Sequence, residues 1–319
     1  MRLLVIGAGA SYAEAEHAGV PEDFRPLFVK NFAKRMWTDY NPYHLLLGFF
    51  EHRCLDPTDD PLAKFIELEG SSSSDVSIEP FFEYAYHHGQ VILPGHEQFK
   101  PASLYDNLLY HGMLRPFTFL LLQGLFKHSV ENAPLALTKT VASHLKPGDA
   151  VLNLNYDTIF EIGAQQAGHK LAFLPNKPSA DCLAVSKPHG SFNLLATKDG
   201  FYFAQPYFAG DVQPSDGSTN YGGFVPPRLN KHYDQHPIAH TILQATNAIQ
   251  PTSVVFWGIG LTESDTDLLS LYQRWSRSAE KVEFINPSVN DLNKAKLLLE
   301  VDVDHYSTVA DWNASQLMD

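Results

Sequence analysis

The chain of 319 residues is 44% hydrophobic and 18% charged, a composition typical of a folded globular protein and not of a disordered one. Its formal net charge of −13 argues against non-specific binding to DNA, RNA or an anionic membrane. The 2 cysteines, Cys54 and Cys182, form no CxxC pair, so we expect neither a disulfide framework nor a thiolate zinc site. The length predicts either one large domain with an insertion or two closely packed domains.

The first predicted element is a buried strand at residues 2–6, which form a continuous apolar run. The glycines at positions 7 and 9 then predict a tight turn into a helix. This opening also has features of a secretory signal, but its glycines and the acidic Glu14 and Glu16 favour a strand followed by a helix. The longest apolar run elsewhere, Phe117–Phe126, is too short to span a bilayer. We therefore expect a soluble, cytoplasmic protein that binds neither a membrane nor nucleic acid directly.

Residues 28–145 show helical periodicity and few strand signals, which predicts a large helical insertion. Within it, the glycine and serine run Gly70–Ser74 indicates either a plain surface loop or a mobile lid. The following Ser77–Pro80 predicts the start of a helix with proline in its first turn.

Strand character returns at residues 150–154, and from there strands and helices alternate. Further strands are predicted near 183–186, 200–204, 253–257 and 281–285, with helices near 238–249 and 264–275. Such alternation is typical of a parallel sheet covered by helices. The expected fold class is therefore α/β, as a single domain over 1–319. A Rossmann-like core is formed by 1–27 and 146–319, and the helical insertion spans 28–145.

Glycines and polar residues follow the predicted strands at the points where the strands end. They are the turn from Gly7 to Ser11, the pair Asn155 and Asp157, His189, the turn from Gly258 to Gly260, and Asn286. Because parallel sheets bind ligands at the carboxyl ends of their strands, we expect these residues to lie along one edge. Each has a structural alternative: Asn155 and Asp157 as helix caps, and His189 as a buried structural histidine.

The first glycine turn has a chemical use of its own. Glycines let the backbone approach a diphosphate, and the next helix offers its N-terminal amides to the anion. The third glycine of the dehydrogenase fingerprint is missing, however, and no acidic residue ends a second strand about 20 residues later to bind a ribose. An ordinary strand, turn and helix remains an alternative.

Two further clusters are better explained by structure than by chemistry. His232, His236 and His240 recur at helical spacing, but Pro237 interrupts the turn and no carboxylate cluster completes a metal site. Ser264, Asp265 and Asp267 precede an amphipathic run, which favours a helix N-cap with acidic residues in the first turn.

The order of the motifs resembles one known family. Gly-Ala-Gly-Ala-Ser, Asn-Tyr-Asp, Pro-His-Gly-Ser, an apolar strand into Gly-Ile-Gly-Leu, and Ile-Asn-Pro-Ser resemble the sirtuins over nearly the whole chain apart from the insertion. Two features depart from the sirtuin deacylases: the chain lacks their four-cysteine zinc module, and Leu154 stands where they have glutamine. Both departures are similar to the sirtuin-like NAD hydrolases of bacterial anti-phage defence.

The resemblance implies a reaction and a role for each motif. Asn155 would orient the nicotinamide ribose and the attacking water, His189 would be the base, and Asp157 would hold the nicotinamide carboxamide. The diphosphate would lie against Gly7, Ala8, Gly9, Ala10 and Ser11, and the adenosine half along Gly258, Gly260 and Asn286. The expected function is an NAD(P)+ glycohydrolase that acts as a defence effector, with NAD as substrate and without zinc or another metal.

Two other functions remain open at this stage: a catalytically silent module that binds NAD or ADP-ribose and signals to a partner, and an ADP-ribosyltransferase. The preference for NAD or NADP is also open. Because an unregulated NAD hydrolase would deplete the cell's cofactor, we expect control by homo-oligomerisation, by a separately encoded activating partner, or by both.

Overall fold

The computed structural model describes residues 1–22, 25, 43–56, 58–69, 78–88, 134–197, 200–205, 225, 231, 233, 236–261 and 265–318. Within these residues, the fold is built on a seven-stranded parallel sheet with the strand order β3-β4-β2-β1-β7-β8-β9. Its strands are β1 (Arg2–Ile6), β2 (Ala150–Asn153), β3 (Lys170–Phe173), β4 (Cys182–Ser186), β7 (Ser253–Trp257), β8 (Lys281–Ile285) and β9 (Asp304–Tyr306). A separate antiparallel hairpin consists of β5 (Leu194–Thr197) and β6 (Gly200–Phe203).

The described helices fall into those of the core and those of the segment between α1 and β2. The core helices are α1 (Ala8–His17), α6 (Ile159–Gln166), α7 (Pro237–Asn247), α8 (Thr266–Ser278), α9 (Val289–Leu299) and α10 (Val309–Gln316). Between α1 and β2 lie α2 (Tyr43–His52), α3 (Pro61–Glu69), α4 (Ile78–His88) and α5 (Ala136–Ser143).

Both faces of the sheet are covered by helices, because alternate residues of each strand point to opposite faces. On one face, Leu3 and Val5 of β1 pack with Trp275 of α8 and other apolar residues of α8 and α9. On the other face, Leu4 and Ile6 pack with residues of α1, α5, α6 and α10. The result is the three-layer α/β arrangement that the sequence predicted, and the Rossmann-like fold class is confirmed.

Most predicted strands form, but three observed strands were not predicted. β3 and β9 are the edge strands of the parallel sheet, and they have only 4 and 3 residues, of which none is fully buried. Edge strands can be this short and partly exposed. β9 contains no apolar run that could indicate a strand, whereas the short apolar run 171–173 in β3 was not assigned to one. The predicted strand near residues 200–204 exists as β6, but it pairs with the unpredicted β5 instead of joining the main sheet.

The segment between α1 and β2 contributes helices of two kinds. α2, α3 and α4 form an aromatic cluster in which Phe49 contacts Phe65 and Phe81, with ring centroids 6.0 and 5.6 Å apart. α4 starts at Ile78 with Pro80 in its first turn, as predicted. α5 instead packs on the sheet through Val141 and Ala142.

The division into a core at 1–27 and 146–319 and an insertion at 28–145 remains a prediction, although α5 packs with the core. Gly70–Ser74 and Phe117–Phe126 lie outside the described residues. Among the helices that are described, none has the length and apolar character needed to cross a membrane.

Candidate functional site

The residues that follow the strands lie at one edge of the sheet. The parallel register pairs Ile6 at the end of β1 with Asn153 of β2 on one side and with Trp257 of β7 on the other. From β1 the chain continues to the β2 side, whereas from β7 it continues to β8 on the opposite side. Ligands of open α/β sheets bind in the crevice at such a reversal of strand order.

Three glycines from the first and fourth motifs interlock at this edge. The amide of Gly7 donates to Trp257 O at 3.0 Å, and the amide of Gly9 donates to Gly258 O at 2.8 Å. A Cβ on Gly7 would lie 2.7 Å from Gly258 O. A Cβ on Gly258 would overlap the backbone nitrogen of Ala10, and its φ of +61° also favours glycine. These glycines are therefore required for the two turns to pack together.

This packing bears on the predicted diphosphate site. The amide of Gly9 is used by Gly258, and the amide of Ala10 donates to Gly7 O at 3.0 Å. Ala8 is the first residue of α1 and is exposed at the tip of the turn. The helix N-terminus thus stays accessible at Ala8, and the diphosphate role of Gly7, Ala8, Gly9, Ala10 and Ser11 remains a prediction.

Asn155 and Asp157 are brought together with Ser11 in one hydrogen-bonded cluster. Asn155 Nδ2 donates to Gly7 O at 3.0 Å and to Ser11 Oγ at 2.9 Å. Ser11 Oγ donates to Asp157 Oδ2 at 2.9 Å, and the amide of Ile159 donates to Asp157 Oδ1 at 3.1 Å. Both hydrogens of the Asn155 amide are used, so within the described residues its Oδ1 is the acceptor left for a ligand. Burial raises the pKa of Asp157.

A buried ion pair lies beneath this cluster, and it was not predicted from the sequence. Lys187 and Glu161 both have side chains with 0% exposure, and Lys187 Nζ lies 3.0 Å from Glu161 Oε1. Lys187 Nζ also donates to Asp157 O at 2.6 Å, and Asn153 Nδ2 donates to Glu161 Oε1 at 2.9 Å. The pair therefore fixes the backbone of the turn that carries Asn155 and Asp157.

His189 lies against the same turn, with 12% of its side chain exposed. Its Nδ1 is 2.9 Å from Leu154 O, and because a carbonyl only accepts, Nδ1 carries the proton. Its Nε2 is 2.6 Å from the hydroxyl of Tyr233, which donates to it. Burial, followed by the positive charge of Lys231, lowers the pKa of His189 to about 4. The imidazole is therefore neutral at physiological pH.

The surroundings of His189 contain charged residues that the sequence analysis did not assign to the site. Asp265 Oδ2 lies 2.8 Å from Lys231 Nζ and 4.0 Å from His189 Nε2. Asp265 stands at the N-cap of α8, as predicted, but its side chain makes no capping hydrogen bond. Glu79 of α4 is close enough that Lys231 and Asp265 both influence its pKa, which burial raises.

The remaining predicted ligand residues occupy the far side of the edge. Asn286 Nδ2 donates to Ile259 O at 3.2 Å, so the loop after β8 braces the loop after β7. Asn286 Oδ1 accepts from the amide of Ser288 at 2.8 Å. Gly260 is exposed, and nothing lies within 4 Å of where its Cβ would be. The predicted contacts of Gly258, Gly260 and Asn286 with an adenosine remain a prediction.

The histidines at helical spacing have other contacts. His236 caps α7 by accepting from the backbone amide of Ala239. His240 Nε2 lies 2.8 Å from the side-chain nitrogen Nε2 of Gln244. His232 lies outside the described residues. In the part of the chain that the structure describes, no group of three or more His, Cys, Asp or Glu side chains is arranged to hold a metal ion.

Comparison with known proteins gave matches to solved structures alone. No protein-family model matches the chain, and no curated protein matches it. The matching structures include the crystal structure of a Sir2 homolog–NAD complex, with 12% sequence identity and a TM-score of 0.39. That match covers 99% of this chain and 88% of the other.

Proposed function

We propose that the chain binds NAD(P)+ at the edge formed by the strand ends and hydrolyses its nicotinamide–ribose bond, giving ADP-ribose and nicotinamide. The observation that carries this proposal is the end of β2. There, consecutive residues hold a neutral histidine, through Leu154 O, and present the Asn155 side chain, at the crevice where the strand order reverses. The motif order, which resembles the sirtuin-like NAD hydrolases, supports the same reaction.

These groups suit the chemistry of NAD hydrolysis. Nicotinamide leaves as a neutral molecule from a cationic pyridinium, so the reaction needs no general acid. The enzyme has to stabilise an oxocarbenium-like ribose and to position a water molecule. The free Oδ1 of Asn155 accepts a hydrogen bond from a ribose hydroxyl or from that water, and His189 accepts the water's proton.

In this proposal, Asp157 holds the nicotinamide carboxamide. Each of its oxygens already accepts one hydrogen bond, from Ser11 or from the amide of Ile159, and a carboxylate oxygen has room for a second. Through Ser11, Asp157 also orients Asn155. The carboxylate therefore links the group that leaves to the group that directs the water.

The deciding experiment is an incubation of the purified protein with NAD, and separately with NADP, followed by measurement of free nicotinamide. Hydrolysis releases nicotinamide and ADP-ribose in equal amounts. A silent binding module would release neither, and a transferase would leave label from NAD on a macromolecule. A defence effector would in addition deplete NAD in infected cells that carry the gene, but not in uninfected ones.

We predict that the activity is independent of zinc. The Asn155 and His189 arrangement needs no Lewis acid, because the leaving group is already cationic before it departs. Treatment with a chelator should leave both the unfolding temperature and nicotinamide release unchanged, and acetylated peptide should not accelerate release. Stoichiometric zinc by elemental analysis, with activity lost on its removal, would contradict the assignment to the zinc-free hydrolases.

We also predict that turnover per subunit depends on assembly. The α2–α4 segment reaches the site, because Glu79 of α4 is influenced by Lys231 and Asp265. Contacts that hold this segment in place, made by a second copy or by an activating partner, would therefore shift the site towards its active form.

The measurement is turnover across a dilution series with light scattering in parallel, with and without the product of the neighbouring gene. Turnover per subunit should fall when the protein is diluted below the dissociation constant of the assembly, or rise on addition of the partner. A monomer with full turnover at every concentration and no response to a partner would contradict the prediction.

A further inference from the structure

His189 belongs to a chain of hydrogen-bonded groups that extends away from Asn155. Leu154 O accepts from His189 Nδ1, and the Tyr233 hydroxyl lies on His189 Nε2 at 2.6 Å. The His189 and Tyr233 rings are nearly parallel, with an angle of 5° between them. Burial raises the pKa of Tyr233 well above its usual value, and the negative charge of Asp265 raises it further. The carboxylate of Asp265 faces the same imidazole, with its Oδ2 4.0 Å from His189 Nε2.

Counting donors and acceptors shows which protonation state this chain prefers. With a neutral imidazole, the single proton of Tyr233 is donated to His189 Nε2, and Asp265 Oδ1 is left without a donor. With an imidazolium, Nε2–H donates to Tyr233 Oη while the tyrosine proton donates to Asp265, so every group is satisfied. The proton of Tyr233 therefore becomes available to Asp265 only after His189 has taken up a proton.

Asp265 is otherwise free to serve this purpose. Its side chain is 10% exposed, its Oδ2 is paired with Lys231, and its Oδ1 is buried without a hydrogen-bond partner in the described part of the chain. Burial of a carboxylate with one unpartnered oxygen is costly. Because the Asp265 side chain does not cap α8, helix stability does not explain its burial.

We propose that Tyr233 and Asp265 act with His189 as one proton-accepting unit, in which Tyr233 relays the proton and Asp265 is the positioning residue that stabilises the imidazolium. This inference rests on the proposed hydrolysis of NAD. The water O–H bond breaks and its proton passes to Tyr233 Oη, while the tyrosine proton passes to His189 Nε2. The hydroxide attacks C1′ of the ribose, and the electron pair of the C1′–N bond leaves with nicotinamide. The tyrosine stays neutral throughout.

The charges around the imidazole explain why Asp265 is needed. Lys231 and Lys187 both lower the pKa of His189, and Asp265 is the group whose negative charge opposes them. Glu79 of α4 also faces the Lys231 and Asp265 pair. Without Asp265, a proton on His189 would face two lysines without the carboxylate that opposes their charge.

The test compares Tyr233→Phe and Asp265→Asn with the double variant. Each single variant should lower kcat/KM by about 10- to 100-fold, a part of what a general base contributes. Because the residues act as one unit, the double variant should be no slower than the slower single variant. The acid limb of the pH profile should also move to lower pH in Asp265→Asn. In ¹⁵N NMR of the protein without NAD, Tyr233→Phe should shift the His189 Nε2 signal and leave the Nδ1 proton in place.

Matched controls separate the relay from general effects on the fold. Tyr272→Phe removes another buried hydroxyl near Asp265 that has no partner within the described residues, and Asp267→Asn removes an exposed carboxylate in the first turn of the same helix. Both should retain the activity of the unchanged protein. Losses that multiply in the double variant, a loss in Asp265→Asn no larger than in Asp267→Asn, or an unchanged Nε2 signal in Tyr233→Phe would each overturn the proposal. Absence of nicotinamide release from the unchanged protein would refute the hydrolase function, while the NMR arm would still decide whether the pair exists.

Discussion

Replacing Asn155 or His189 with alanine should reduce nicotinamide release by on the order of 100-fold or more. Asn155→Ala removes the acceptor Oδ1, which makes no hydrogen bond within the described residues, and His189→Ala removes the group proposed to take the water's proton. Both residues stand at the edge of the sheet and outside its apolar core, so the variants should fold. Release of nicotinamide is measured at saturating NAD, with circular dichroism on the same samples.

Matched substitutions at exposed positions serve as controls for this prediction. Asn290→Ala in the first turn of α9 and His17→Ala in the last turn of α1 change the same residue types away from the strand ends. They should leave turnover unchanged. Variants of Asn155 and His189 with native circular dichroism and full turnover would show that the site has been assigned to the wrong residues.

The pH dependence of the unchanged protein follows from the same histidine. A general base works when it is deprotonated, so activity is present above its pKa and is lost as the pH falls through it. Because burial, followed by Lys231, lowers the pKa of His189 to about 4, the acid limb should lie near that pH and well below 6.5.

The strand ends could be predicted from the sequence because their signals are local. An apolar run followed by Gly7 and Gly9, or by Asn155 and Asp157, contains both the strand and the residues at its tip. Parallel pairing then brings such tips to one edge whatever the order of the strands. For this reason, the fold class and the common location of the motifs were predictable without knowledge of the strand order.

The contacts that tune these tips could not be predicted, because each depends on a partner that is distant in the sequence. Asp265 has the position of an N-cap, and only the folded chain shows that its side chain instead pairs with Lys231 and lies 4.0 Å from His189 Nε2. The interlocking of Gly258 with Gly9 likewise appears only when β1 and β7 are adjacent. Glycine at these positions was correctly noted, but its use in packing the two turns together was not.

Lys187 shows the same limit most clearly. Lysine is rarely buried. In the sequence, Lys187 is a charged residue that precedes a proline and His189, a pattern that does not predict burial. Its burial makes sense only with Glu161, which lies 26 positions earlier on α6. No local pattern joins the two residues.

Lys187→Met should therefore destabilise the fold by about 3–5 kcal/mol, since it leaves the buried carboxylate of Glu161 without its counter-ion. It also removes the donor to Asp157 O, so turnover should fall together with stability. The double variant Lys187→Met, Glu161→Gln no longer buries an unpaired charge and should recover most of the lost stability but less of the turnover. Urea unfolding of each variant, with nicotinamide release measured below the transition, gives both quantities.

The chain supplies a matched control, because Lys170 and Asp181 form an ion pair at 2.6 Å whose side chains are 73% and 56% exposed. Water already solvates that pair, so Lys170→Met should change the unfolding midpoint little. If Lys187→Met and Lys170→Met cost the same, burial of the first pair does not carry the effect, and the turn with Asn155 is held by other contacts. If the double variant regains turnover as fully as stability, the hydrogen bond to Asp157 O has no part in positioning the site. Recovery of stability alone is the result that assigns Lys187 to both functions, as counter-ion of Glu161 and as anchor of the turn.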